Sequence, residues 1–347
     1  TYLTGHSTAY LEDYTKFDNE PVEKGVPQPW PIHKDYNTVK ETEALNQINE
    51  TNGTIAYVII KNDSIWYENY YDGFGENSKS NSFSMAKSYV SGLMGMAIQQ
   101  GYIKSLDQPV SDFLPTFDEG LAAKMTVGDL SSMSSGTNWD EAYYSPLSIT
   151  TRAYFDDDLS KVILGLKVVD EPGKTYKYAS GDTQMLAMVI EKATGKKLYK
   201  YLEESFWKPL GCENATLWQV DSKEGDLVKA YCCIASNAKD FARYGKLFKD
   251  HGKWNGKQIL DSAFVAKSVT PRFKESPEYG YGWWLKQQNG KNFFMMRGHL
   301  GQYVIVEPKD NIIIVRLGHS KGTDVEIASF TKDIAKYIDE AYNMLGK

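Results

Sequence analysis

Apolar residues recur in pairs at every fourth position along "FSMAKSYVSGLMGMAIQQG": Met85 with Ala86, Tyr89 with Val90, Leu93 with Met94, Ala97 with Ile98. That period predicts a helix with a broad buried face, and Gly101 supplies its stop. Elsewhere the pattern is different. "GTIAYVIIKND" and "SIWYENYYDG", split by "KNDS", read as a β-hairpin. Towards the other end "YGWWLKQ", "KNFFMMRG", "GQYVIVEP" and "NIIIVRLG" predict four more strands in meander order, divided by "QNG", "HL" and "KDN". "NTVKETEALNQINE" predicts a short helix before the hairpin. "TDVEIASFTKDIAKYIDEAYNML" predicts a closing amphipathic helix.

These elements give an α+β architecture. Residues 37–79 and 271–347 form one antiparallel sheet flanked by the N- and C-terminal helices. Residues 80–270, with few strands and Gly punctuation, form a mostly helical insert. Residues 1–36, polar and Pro-rich ("PVEKGVPQPWPI"), are expected to be an extended arm on the body. The cleft between sheet and insert is the default place for a site.

A chain of 347 residues exceeds the usual single core, in keeping with one composite domain or two packed ones. Its 41% hydrophobic and 24% charged residues are those of a soluble globular protein. A net charge of −6 gives no basic footprint for nucleic acid, and no apolar run approaches a membrane span. The chain starts at Thr1 without Met, so an exported or periplasmic protein with its signal removed is the expectation. Oligomeric state is not legible. Of three cysteines, Cys232 and Cys233 are neighbours, which rarely bridge. Free core thiols, or one bridge from Cys212 to either, are the open readings. The five histidines are scattered and no metal-binding spacing occurs, so no metal site is expected. The 24 tyrosines and 8 tryptophans either pack at strand edges or line an aromatic cleft for a small organic ligand.

Candidate chemistry starts at Ser84 and Lys87, at i and i+3 in the first turn of the apolar helix. One reading is a surface lysine at the edge of a core helix. The other is an activated pair, in which a desolvated amine takes the serine proton. The spacing occurs four times, at Ser84, Ser205, Ser236 and Ser329. Only Ser84 lies where the chain passes from sheet to insert. Tyr178, in "KYASGD" before a predicted helix, is a second proton-handling candidate. His299-Leu300-Gly301 is either a plain β-turn or a strand edge whose N–H faces a bound carbonyl. "SSGTNWDEAYYSP", with Gly136, Trp139 and Tyr143, either walls a cleft or packs as a helix connection.

Together these segments, in this order over about residues 40 to 345, resemble the penicillin-recognising serine hydrolases, whose motif is Ser-x-x-Lys. The flanking text is similar to the class C-like branch, and the Tyr-x-Ser and Trp-Asp-Glu-Ala-Tyr segments to its 6-aminohexanoate-dimer hydrolases. The resemblance implies a β-lactamase/transpeptidase-like fold. It implies Ser84 as nucleophile, Lys87 as base and Tyr178 as a proton relay to the leaving group, with Lys87 and Tyr178 both open as the acylating base. It implies an oxyanion hole from the N–H groups of Ser84 and Gln302, and substrate contacts from Tyr143, Ser180, His299 and Gly301. It implies no cofactor, and a small-molecule ester or amide as partner. Relatives strong on β-lactams have Lys-Thr-Gly where this chain has His299-Leu300-Gly301, which points to esters and small amides. A D-amino peptidase or weak β-lactamase, and a non-catalytic binding module on the same scaffold, are the alternatives.

Overall fold

The computed structural model describes residues 6, 8–142, 145, 147–327 and 330–346. Along the chain come β1 (Asn19–Val22), α1 (Glu43–Thr51), the hairpin β2 (Thr54–Lys61) and β3 (Ser64–Tyr70), and the short β4 (Ser80–Asn81). Then follow α2 (Ala86–Gln99), α3 (Ser180–Thr194), β5 (Thr216–Gln219), β6 (Ile234–Ser236) and α4 (Ala238–Lys249). The meander β7 (Trp284–Gln288), β8 (Lys291–Gly298), β9 (Gln302–Glu307) and β10 (Ile312–Gly318) precedes α5 (Lys332–Leu345). Shorter helical turns fill the connections.

The large sheet runs β3-β2-β10-β9-β8-β7, antiparallel throughout. Both chain ends therefore meet in it, at the β2–β10 seam. Its central strands β2, β9 and β10 are buried nearly throughout because both faces are covered. Side chains alternate between faces with a period of two. Val58, Val304 and Val315 share register and pack with Tyr244, Leu247 and Phe248 of α4. Ile59, Ile305 and Ile314 point the other way, onto Leu45 and Ile48 of α1 and Ile334, Tyr337 and Ile338 of α5. Burying each such side chain contributes about 1.5–3 kcal/mol.

The insert is less purely helical than its sequence suggests. β5 and β6 join β1 and β4 in a second sheet of order β1-β5-β6-β4. The N-terminal arm supplies its edge strand: Asn19 to Val22 pair with Gln219 to Thr216. Ile32 bridges Ile65 of the large sheet, so the arm is woven into both parts. At the other end the closing helix starts at Lys332, after the short strand Val325–Ile327 pairs back onto Phe330 and Thr331. The cysteines differ from both open readings: Cys232 bridges Cys233, and Cys212 is free and buried. Cys233 has φ 75°, a turn that folds the chain back and brings the neighbouring sulfurs together.

Candidate active site

Ser84 stands at the end of a tightly constrained turn. Phe83, just before it, has φ 46°, a region bulky residues seldom occupy. Several contacts hold it there. The Phe83 N–H donates to Asn81 Oδ1 at 2.9 Å, and the Ser82 N–H to the Ile234 carbonyl at 2.7 Å. Gly298, the last residue of β8, lets that strand close in, since a Cβ there would lie 2.2 Å from the Ser82 carbonyl oxygen. Ser84 thus sits in a 3-10 turn that leads directly into α2, and Lys87 is the second residue of α2.

Lys87 is 3% exposed. Its ammonium Nζ donates to Ser84 Oγ at 2.8 Å and to the Tyr231 carbonyl at 2.9 Å. Burial pulls its pKa down to about 8, and the Glu141 carboxylate opposes that fall. Neutral amine is thereby available near neutral pH, beside a hydroxyl. Tyr178, just ahead of α3, faces the same pair, with Lys87 Nζ 5.1 Å from its ring centroid. Burial and then Glu141 push its phenol well above 10, while a hydrogen bond with Ser84 and the Arg297 charge oppose this. Its phenol therefore stays protonated at ordinary pH.

These groups open on a cleft of about 410 Å³, lined by Ser84, Glu141, Tyr176, Tyr178, Glu278, Trp284, Arg297, Gly298, His299 and Lys321. His299 is on its wall, and burial, with Lys321 second, drops its pKa to about 4. It is neutral at pH 7. Gln302, expected as an oxyanion donor, is instead fully buried and, unlike Gly298 and His299, does not line the cleft; its side chain bonds the Gly318 and His299 carbonyls at 2.7 and 3.1 Å. That pins the strand edge opposite Gly298, the residue it pairs with.

Two candidates from the sequence lie differently. The Ser180 hydroxyl is committed to Glu141, whose carboxylate also accepts the Ser180 N–H at 2.8 Å. Gly301 stands behind the cleft wall, at φ 83°, where a Cβ would meet Arg316 Nη1 at 2.3 Å. Its part is to let the buried Arg316 guanidinium reach the Leu300 and Gly301 carbonyls at 3.0 and 2.8 Å. Tyr143 lies outside the described residues. The competing Ser-x-x-Lys lysines are occupied by carboxylates. Lys208 pairs with Glu203 at 2.6 Å, Lys239 with Glu76 at 2.5 Å and Lys332 with Asp324 at 3.6 Å.

Glu141, Arg297, Lys321 and Arg316 were not among the residues that the sequence singles out. Glu141 lies inside the Trp-Asp-Glu-Ala-Tyr segment, yet nothing in the sequence says that it faces Ser180. Arg297 stands two residues before His299, at the end of a strand, which was the available signal. No cluster of His, Cys, Asp and Glu suited to a metal ion occurs among the described residues, and no helix among them is long and apolar enough to cross a membrane.

An α+β fold, with a lysine-bonded serine at the mouth of a cleft between sheet and helices, is the arrangement of a serine hydrolase. The chain belongs to the family described as Beta-lactamase, which matches residues 44–335. It is similar to 6-aminohexanoate-dimer hydrolase from Paenarthrobacter ureafaciens, 23% identical, over 79% of this chain and 74% of that one. Among solved structures it resembles a putative 6-aminohexanoate-dimer hydrolase from Bacillus anthracis, with TM-score 0.79 and 19% identity, covering 97% and 94% of the two chains. It also resembles D-amino acid amidase from Ochrobactrum anthropi SV3, with TM-score 0.66 and 17% identity, covering 86% and 97%. At these identities the structural likenesses speak for the fold.

Proposed function

We propose that the protein hydrolyses carboxylic esters and small amides through an acyl-enzyme on Ser84. The observation that carries this reading is the 2.8 Å contact between Ser84 Oγ and the Lys87 amine, whose pKa burial lowers to about 8. Neutral Lys87 takes the serine proton as Oγ attacks the carbonyl carbon. The carbonyl oxygen becomes an anion held by the Ser84 N–H at the mouth of α2; one such donor is typically worth about 3–4 kcal/mol. The proton passes through the Tyr178 phenol to the leaving oxygen or nitrogen, and the C–O or C–N bond breaks. Water then attacks the acyl carbon, giving its proton to Lys87, which passes it to Ser84 Oγ as the ester bond breaks, releasing the acid and free Ser84. The raised Tyr178 pKa favours Lys87 as the base and Tyr178 as the relay.

The test is turnover of p-nitrophenyl butyrate by wild type and Ser84→Ala. The expected result is a loss of at least about a thousandfold in kcat with an unchanged melting temperature. Retained turnover would end the proposal.

One observation favours a second reading, a D-amino peptidase or weak β-lactamase. His299 is neutral, but Arg297 and Lys321 bring positive charge into the cleft, as a substrate carboxylate needs. Faster turnover of D-alanyl peptides than of short esters would decide for it.

A further inference from the structure

The N-terminal arm reaches the candidate site, which nothing in its polar, Pro-rich sequence announces. Leu11 is fully buried, and its carbonyl accepts the Asn81 N–H at 2.9 Å, three residues ahead of Ser84. The Tyr10 hydroxyl bonds His319 Nδ1 at 2.7 Å, beyond the end of β10. On the insert side the Tyr154 hydroxyl donates to the Asp13 carboxylate at 2.6 Å. The arm is therefore moored both beyond the end of β10 and on the insert.

From that mooring Thr8 Oγ1 lies 3.0 Å from His299 Nε2. The His299 ring is at a junction. Its edge meets the ring of Phe83, with centroids 5.5 Å apart and planes at 89°, and Phe83 is the positive-φ residue before Ser84. Its backbone opens the turn His299–Gly301 that leads to Gln302. One imidazole thus touches both the serine turn and the turn ahead of Gln302. A neutral imidazole has one N–H and one acceptor nitrogen, and a threonine hydroxyl can serve either.

We propose that Thr8 is a positioning residue of the active site: its hydroxyl holds the His299 ring, on the cleft wall, against Phe83 and so sets the turn that presents Ser84 and its N–H to the bound carbonyl. This rests on the reading of Ser84 as nucleophile and oxyanion donor. The oxyanion forms only after attack, so a misplaced donor lowers kcat and leaves KM nearly alone. A merely structural arm would instead act through stability, with no such split.

The experiment measures kcat and KM for p-nitrophenyl butyrate in wild type, Thr8→Val, Thr8→Ala and Thr8→Ser, with melting temperatures alongside. Thr8 is only half-buried, and Thr8→Ala is the second variant if Thr8→Val does not fold. The expected result is a fall in kcat of roughly ten- to a hundredfold in Thr8→Val and Thr8→Ala, with KM within about twofold and recovery in Thr8→Ser. Wild-type kcat in Thr8→Ala overturns the proposal while leaving the serine hydrolysis intact. So does a loss that Thr8→Ser does not restore. An inactive wild type overturns both together.

Discussion

Lys87 and Glu141 set opposing demands on one proton. Burial makes the lysine acidic enough to serve as a base, and the Glu141 carboxylate across the cleft pulls the other way. kcat/KM should therefore rise with pH through a limb near 8, as the Lys87 amine loses its proton. In Glu141→Gln the opposing charge is gone, so the limb moves to lower pH. The isostere keeps an oxygen to accept the Ser180 N–H. A pH–rate profile that stays in place, or moves up, would contradict this assignment. At the same scale, Ser84 and Lys87 were legible from the sequence because their position in the fold separated them from three look-alikes. Glu141 was not, because its meaning lies in a contact with Ser180, 39 residues on.

Helix α2 shows what an element must give up to hold a site. A Cβ on Gly92 would lie 1.8 Å from the Tyr244 hydroxyl oxygen of α4, which donates to the Ser88 carbonyl at 2.9 Å. Glycine inside a helix normally costs about 1 kcal/mol against alanine. Here the sign reverses: Gly92→Ala forces Tyr244 aside and should destabilise by about 1–3 kcal/mol. Chemical denaturation of the two proteins measures it, and a stabilised Gly92→Ala would show that α2 and α4 are not so closely packed. Helical and strand periods predicted α2 and the sheet strands well, since each has a steady apolar pattern. The pattern failed where a short strand borrows its partner from far away, as β1 does from β5. It also failed at Cys232 and Cys233, where a positive-φ turn brings together sulfurs that ordinary backbone holds apart.

In the whole molecule the site depends on both chain ends. β2 and β10 are neighbours in the large sheet, and α5 covers the face carrying Ile59, Ile305 and Ile314. Ending the chain after Thr331 removes Ile334, Tyr337 and Ile338 from that core. At about 1.5–3 kcal/mol each, their loss is comparable to the net stability of an ordinary domain. The truncated chain should lose its cooperative thermal transition and elute as aggregate on size exclusion; a soluble form with a sharp melt would show the sheet to be self-sufficient. The β-lactamase-like arrangement was legible as a whole because its motifs keep their order along the chain. The arm was the part that stayed hidden. Its polar composition resembles a linker, and its contacts with His299, His319 and Asn81 depend on closure of the whole fold.

An acyl group that passes through Ser84 can be trapped there. Wild-type protein is mixed with p-nitrophenyl butyrate, quenched in acid within the first turnovers, and analysed by intact mass and peptide mapping. One butyryl adduct is expected, on the peptide carrying Ser84 and at that residue, which decays as substrate is exhausted and does not form in Lys87→Ala. Product release with the acyl group on another residue, or an adduct on Ser84 that forms equally well without Lys87, would contradict it.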